Sequence, residues 1–163
     1  MKMKIFSVSM VLALISILVA PAIVLAQDTA TTTITGTVGA AITVTAPSNI
    51  VLPSLVPGTT VTSSRQTVTV ASNTAGWTLT VVESGTNPDG QLSNGSALLA
   101  NDMLVDGGDN GAPASLESPV TLESSGAAGG ASLNDIEFIQ PVASNAAPGT
   151  YSITVTFTAN PGT

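Results

Sequence analysis

The sequence contains no histidine and no cysteine, and all of its lysines lie within the first four residues. Without histidine, the commonest general base and the commonest zinc ligand are absent. Without cysteine, neither a disulfide framework nor a thiolate metal site can form. The lack of lysine after position 4 excludes Schiff-base chemistry, Ser-Lys hydrolysis and Lys-Asn isopeptide crosslinks.

Aromatic residues are also scarce, at 3% of the chain. A pair of carboxylates could still act as in glycosidases. Such sites generally need aromatic platforms in a deep groove, and only Trp77 and Tyr151 are available for that role. These shortages together predict a protein that is not an enzyme.

Charge is rare and almost entirely of one sign. Charged residues make up 8% of the chain, and after position 4 Arg65 is the one base against ten acids. Nucleic acids and anionic lipid headgroups are bound through clustered Lys and Arg. Nucleic acid is therefore excluded as a partner, and no membrane partner is expected for the mature chain.

The beginning of the chain has the pattern of an export signal. Two lysines precede the apolar run Ile5–Ala20, and the small-residue site Val24–Ala26 precedes Gln27. This order predicts a signal peptide over residues 1–26 and a secreted protein, extracellular or at the cell surface. A retained membrane anchor is the alternative, because the apolar run is nearly long enough to span a bilayer. Cleavage leaves the usual size of one domain.

Alternation of apolar and polar residues dominates the rest of the chain and indicates half-buried strands. It is clearest at Arg65–Ala71, Gly76–Glu83 and Tyr151–Phe157, all rich in β-branched residues. Further strand candidates are Thr32–Val38, Ala41–Thr45, Asn49–Leu52, Thr59–Thr62, Ala97–Val105, Pro119–Leu122 and Ile136–Val142. Ser124–Ala131 is predicted to be a flexible loop within the fold. The spacing predicts an all-β, antiparallel β-sandwich, immunoglobulin-like or jelly-roll-like, over residues 39–163.

Two short patterns suggest sites for a metal or a glycan. Asp102, Asp106 and Asp109 stand around glycines and are candidates for a Ca²⁺ site, the one cofactor that the sequence suggests, with a solvated turn as the alternative. Asn94-Gly95-Ser96 is an N-glycosylation sequon and a candidate acceptor at Asn94. The same residues are typical of a simple Asn-Gly turn.

Trp77, Leu79 and Val81 share one face of a predicted strand. This pattern favours a core tryptophan, because its aliphatic neighbours must be buried with it; stacking on a sugar is the alternative. Gly76–Val81, together with the closing run Pro148–Phe157, resembles the WxL surface-protein domain. Trp77 and Leu79 fit its first motif, and Tyr151 and Phe157 belong to the closing strand. The resemblance implies a secreted all-β module associated with the cell-wall polymer of Gram-positive bacteria.

Residues 27–38 precede the sandwich and have a strand pattern of their own. Ile34, Gly36 and Val38 lie on one face, and threonines lie on the other. The segment is similar to the leading strand of TasA-like and donor-strand filament subunits. That resemblance implies a donor strand that completes the sheet of the next subunit through Ile34, Gly36 and Val38. The alternative is an ordinary first strand that pairs within its own chain.

The surface also lacks the lysines that often protect sheet edges from pairing with other chains. The sequence therefore predicts a structural subunit of an extracellular filament, pilus or surface layer. Its partners would be copies of itself in a homopolymer. The alternative is a WxL-like module that binds cell-wall polymer.

Overall fold

The computed structural model describes residues 30–85, 89–95 and 97–162. The predicted signal peptide lies outside the described residues. The described part of the chain contains nine strands and no helix, and so no helix there could cross a membrane. The strands are β1 (Ile42–Thr45), β2 (Thr60–Thr62), β3 (Gln66–Ser72), β4 (Trp77–Glu83), β5 (Leu104–Gly107), β6 (Asn110–Ser115), β7 (Val120–Gly126), β8 (Ala131–Pro141) and β9 (Val155–Asn160).

All the strand pairs are antiparallel and form two sheets. The larger sheet has the order β1-β3-β8-β5-β6, with β2 also paired to β8, and the smaller sheet has the order β7-β4-β9. The arrangement is consistent with a β-sandwich, so the all-β antiparallel prediction is confirmed. The sheets belong to a compact unit that begins at Thr37; a separate unit ends at Gly36.

The long strand β8 organises the larger sheet. Its first half pairs with β3, and its second half pairs with β2 and β5. Where β2 gives way to β3, the backbone N–H of the buried Ser63 donates to the carbonyl of Phe138 at 2.8 Å. The Ser63 hydroxyl then accepts the N–H of Phe138 at 3.0 Å. Between β2 and β3, the hydroxyl of Ser63 thus takes the place of a backbone carbonyl as the acceptor for β8.

The core lies between the sheets and is built from the inward faces of β3, β5 and β8 in the larger sheet and of β4 and β7 in the smaller one. Trp77, Leu79 and Val81 are fully buried along β4, and Leu122 of β7 lies in the same cluster. The alternating face predicted for β4 is therefore the core face.

Several strand predictions differ from the structure. Thr32–Val38 and Asn49–Leu52 form no strand in the single chain, and Tyr151–Phe157 becomes a strand only from Val155. In Ala97–Val105 the strand begins at Leu104. A strand-like sequence is not sufficient in these segments, because a strand also needs a partner backbone beside it.

Two further corrections concern the loop between β7 and β8 and the edge strand β6. The predicted loop Ser124–Ala131 is shorter, because β7 extends to Gly126 and β8 begins at Ala131. Strand β6 was not predicted, since it carries little alternation and contains Pro113. Proline is tolerated there because β6 is the edge strand of its sheet.

Candidate subunit interface

An apolar groove opens where the outer strands of the two sheets lose their regular structure. Strand β1 continues into an irregular segment, residues 46–55, and residues 150–154 lead into β9. Both strands are edges of their sheets, and they lie beside each other. The cavity between the two segments has a volume of about 640 Å³. Its apolar walls include Ile50, Val51, Leu52, Leu55, Leu92, Met103, Phe138, Tyr151, Ile153, Val155 and Phe157.

The backbone along this groove is largely unpaired. Among the described residues, none hydrogen bonds to the backbone of residues 47–55. On the opposite wall, Ser152 exchanges two backbone hydrogen bonds with Ser93, at 2.8 and 2.9 Å, and the Thr154 carbonyl accepts from Ser84. The backbones of Tyr151 and Ile153 have no partner in the described part of the chain. Polar groups beside apolar walls favour a ligand that supplies hydrogen bonds.

A second, smaller cavity of about 260 Å³ adjoins the groove. Leu55 and Tyr151 line both cavities, so these two side chains form the divide between them. The Tyr151 hydroxyl donates to the carbonyl of Ala147 at 3.0 Å, which fixes the ring at the divide. Neither cavity is lined by a charged residue.

The predicted donor segment is exposed. All of residues 30–40 are exposed and lack regular secondary structure. Ile34 is 91% exposed and Val38 is 88% exposed, an unusual environment for two large aliphatic side chains within five residues of each other. Gly36 has no atom within 4 Å of the position that a Cβ would occupy. The face predicted to contact another subunit is therefore open to solvent in the single chain.

The three candidate calcium ligands are not brought together. Asp102 accepts the Ser115 hydroxyl at 2.8 Å, and Asp106 accepts the backbone N–H of the adjacent Gly107 at 3.0 Å. Asp109 accepts both the hydroxyl and the N–H of Ser124, and these bonds lower the pKa of its carboxyl group. No group of three or more acidic side chains within the described ranges is placed to hold a metal ion.

The glycosylation candidate lies in a tight turn. The Asn94 side-chain oxygen accepts the backbone N–H of Ala97 at 2.9 Å, and Gly95 has a positive φ of 91°. That geometry agrees with the predicted Asn-Gly turn. Ser96, the third residue of the sequon, lies outside the described residues, and glycosylation stays a prediction.

The two motifs of the WxL resemblance occupy different environments. Trp77 is 0% exposed, and its indole N–H donates to the carbonyl of Ala127 at 2.8 Å. Its ring is therefore a core element and is not available to stack on a sugar. Tyr151 and Phe157 are half-buried and line the groove, so only the closing motif contributes to this surface.

The groove wall formed by residues 47–55 was missed as a functional element at the sequence level. Asn49–Leu52 is predicted only as an ordinary strand. The useful signal is the pair of flanking prolines, Pro47 and Pro53, because proline cannot donate a ladder hydrogen bond. A short apolar run between two prolines indicates a wall beside a core and not a central strand.

No protein-family model matches the chain, and no curated protein matches it either. The functional conclusion therefore depends on the groove, its unpaired backbone and the exposed segment 30–40.

Proposed function

We propose that the protein is an exported structural subunit of an extracellular filament or surface layer, and that it polymerises by β-strand complementation. One observation carries this proposal. The same chain has an exposed, alternating apolar segment around Ile34 and Val38 and an apolar groove with unpaired backbone. In strand complementation, main-chain hydrogen bonds supply affinity and pockets at alternate positions set the register.

The two surfaces are different parts of the molecule, so a contact between them is heterologous. Such a contact leaves one free segment and one free groove at the ends of every assembly. Addition of further copies then continues unless the rotation closes a ring, and the product is a filament. A secreted chain without cysteine gains stability from such contacts that it cannot gain from disulfides.

Binding to cell-wall polymer is the competing function. Burial of Trp77 weighs against it, since the motif that resembles the WxL domain then stabilises the core and offers no surface for a ligand. Co-sedimentation of the protein with purified cell walls distinguishes the two functions. A filament subunit kept monomeric by substitutions in its leading segment should remain in the supernatant.

Negative-stain electron microscopy of purified residues 27–163 tests the proposal directly. We expect filaments from the wild-type chain and none from the double variant Ile34→Asp, Val38→Asp, because a carboxylate in an apolar groove is strongly disfavoured. The matched control is Thr35→Asp, Thr37→Asp, which places the same two charges on the opposite face and should still assemble. A wild-type protein that stays monomeric at high concentration would refute the proposed function.

A further inference from the structure

We propose a register for this contact: Gly36 of one copy lies at the Leu55–Tyr151 divide of the next copy, with Ile34 and Val38 filling the two cavities on either side. This inference depends on the proposed function and adds to it the occupant, its register and the polarity of the assembly. The occupant is residues 30–38 of a second copy of this chain.

The shape of the groove matches the pattern of the segment. Residues two apart in a strand point to the same side and lie about 6.6 Å apart. Ile34, Gly36 and Val38 therefore present a large side chain, a gap and a large side chain. The groove offers a cavity, a divide and a second cavity in the same order. Only glycine allows the inserted backbone to pass close to the two side chains at the divide.

The unpaired backbone provides the edges for the incoming strand. In a strand, neighbouring residues direct their N–H and C=O groups to opposite sides. Because Ser152 bonds to Ser93, the groups of Tyr151 and Ile153 point away from Ser93. An inserted strand can therefore pair with this edge.

Charge also agrees with this occupant. Residues 30–38 carry no charged side chain, and neither do the walls of the two cavities. The segment can thus enter the groove without burying an unpaired charge, which would be costly.

The strand register indicates that the copies join head to tail. The carbonyl of Gly39 and the N–H of Ala41 both bond to the side chain of Asn73, at the turn that precedes Trp77. Strand β4 runs from that turn to Glu83, which pairs with Val155 at the groove. Six steps along a strand cover about 20 Å. The compact unit thus begins near one end, and its groove opens near the other.

Engineered cysteines test the register, because the natural chain has none. Gly36→Cys and Leu55→Cys are prepared as separate variants, mixed, allowed to assemble and oxidised. We expect a disulfide-linked dimer that contains one copy of each variant, because Leu55→Cys shortens one side chain of the divide and leaves room there for the sulfur of Gly36→Cys. The control replaces the second partner with Thr121→Cys, an exposed position on β7 away from the groove, and should give no linked dimer.

A second pair of variants tests the role of glycine at the divide. Gly36→Val should abolish assembly, because its side chain would meet Leu55 and Tyr151 of the next copy. Gly39→Val should still assemble, since a Cβ at Gly39 also has no atom within 4 Å and this residue lies outside the inserted segment.

The outcomes separate the two proposals. If wild-type filaments form but Gly36→Val assembles normally and the cross-link is absent, the register is wrong while the filament function stands. A third variant carries both Gly36→Cys and Leu55→Cys in one chain. If it forms its disulfide within that chain at high dilution, the occupant is the chain's own segment and the inference fails. If the wild-type chain never assembles, the proposed function itself fails.

Discussion

The Trp77 end of the sandwich and the groove end differ in how deeply their apolar side chains are buried and in how fully their backbone is hydrogen bonded. At the Trp77 end, the indole is fully buried, its N–H is bonded to Ala127, and Gly126 packs directly against the ring. At the groove end, Ile50, Leu52 and Ile153 are only half-buried, and residues 47–55 have no backbone partner among the described residues. One end is covered by its own chain, and at the other end these backbone groups stay unpaired within the described part of the chain.

Apolar side chains therefore contribute differently at the two ends. Buried, well-packed side chains at the Trp77 end stabilise the fold. Half-buried side chains and unpaired backbone at the groove end contribute less to that stability, and under the proposed function they bind the next copy. Substitutions at the two ends should therefore affect stability and assembly to different extents.

The largest expected effect is on stability at the Trp77 end. Trp77→Ala should lower the free energy of unfolding by about 3–5 kcal/mol, because it empties the centre of the core and removes the bond to Ala127. Urea denaturation followed by circular dichroism measures this loss. Trp77→Phe keeps a buried ring without the N–H donor and should cost less. Equal losses in the two variants would show that the ring's packing contributes little.

The next largest effect is expected at Gly126. A Cβ on this residue would overlap the indole of Trp77, so Gly126→Ala should cost about 1–3 kcal/mol through overpacking. The matched control is Gly111→Ala in the edge strand β6, where a Cβ would meet nothing within 4 Å. Both melting temperatures can be read by differential scanning calorimetry. If the control loses as much as Gly126→Ala, the effect is a general cost of replacing glycine and not a clash with the ring.

The sequence was sufficient to predict the all-β fold class and the strands β3 and β4 that pack around Trp77. For β3 and β4, alternation, β-branched residues and a buried partner strand all agree, and Gln66–Ser72 and Trp77–Glu83 lie within one residue of their predicted bounds. Local pattern and tertiary pairing point to the same structure there.

At the groove end the sequence was less informative for a physical reason. Alternation reports that a segment faces an apolar surface, but a strand also needs a neighbouring backbone. Thr32–Val38 and the first half of Tyr151–Phe157 alternate, and Asn49–Leu52 is a short apolar run, but none of the three is a strand in the single chain. These are the segment and the two walls that we propose to join between copies. The divide at Leu55 and Tyr151 depends on side chains distant in sequence, and no local pattern could predict it.

A smaller loss of stability is expected in the groove. Ile153→Ala should lower the free energy of unfolding of the monomer by about 1 kcal/mol, because the side chain is only partly removed from water. The same substitution should weaken assembly, measured as the concentration needed for filaments to appear in a sedimentation assay. A loss as large as that of Trp77→Ala would mean that the groove end is already packed in the single chain, which would contradict the comparison.

The smallest expected effect is the pH dependence of stability, and it has opposite signs at Glu83 and Asp109. Burial raises the pKa of Glu83 above 4.5, the bond from the Gly90 N–H partly offsets this, and the charge of Asp89 adds to the rise. A raised pKa stabilises the fold below pH 4.5 and loses that contribution as pH rises through the folded value. The bonds from Ser124 lower the pKa of Asp109 below 3.8, so its contribution is present above that pH and is lost on further acidification.

Single variants separate these two contributions. Glu83→Gln keeps an acceptor for the Gly90 N–H and should remove the gain in melting temperature that the wild-type chain shows on acidification towards pH 4.5. Asp109→Asn should instead reduce the loss below pH 3.8. Melting temperatures measured across this range in low salt would check both signs. A wild-type pH profile that Glu83→Gln leaves unchanged would show that burial does not raise the pKa of this carboxyl group.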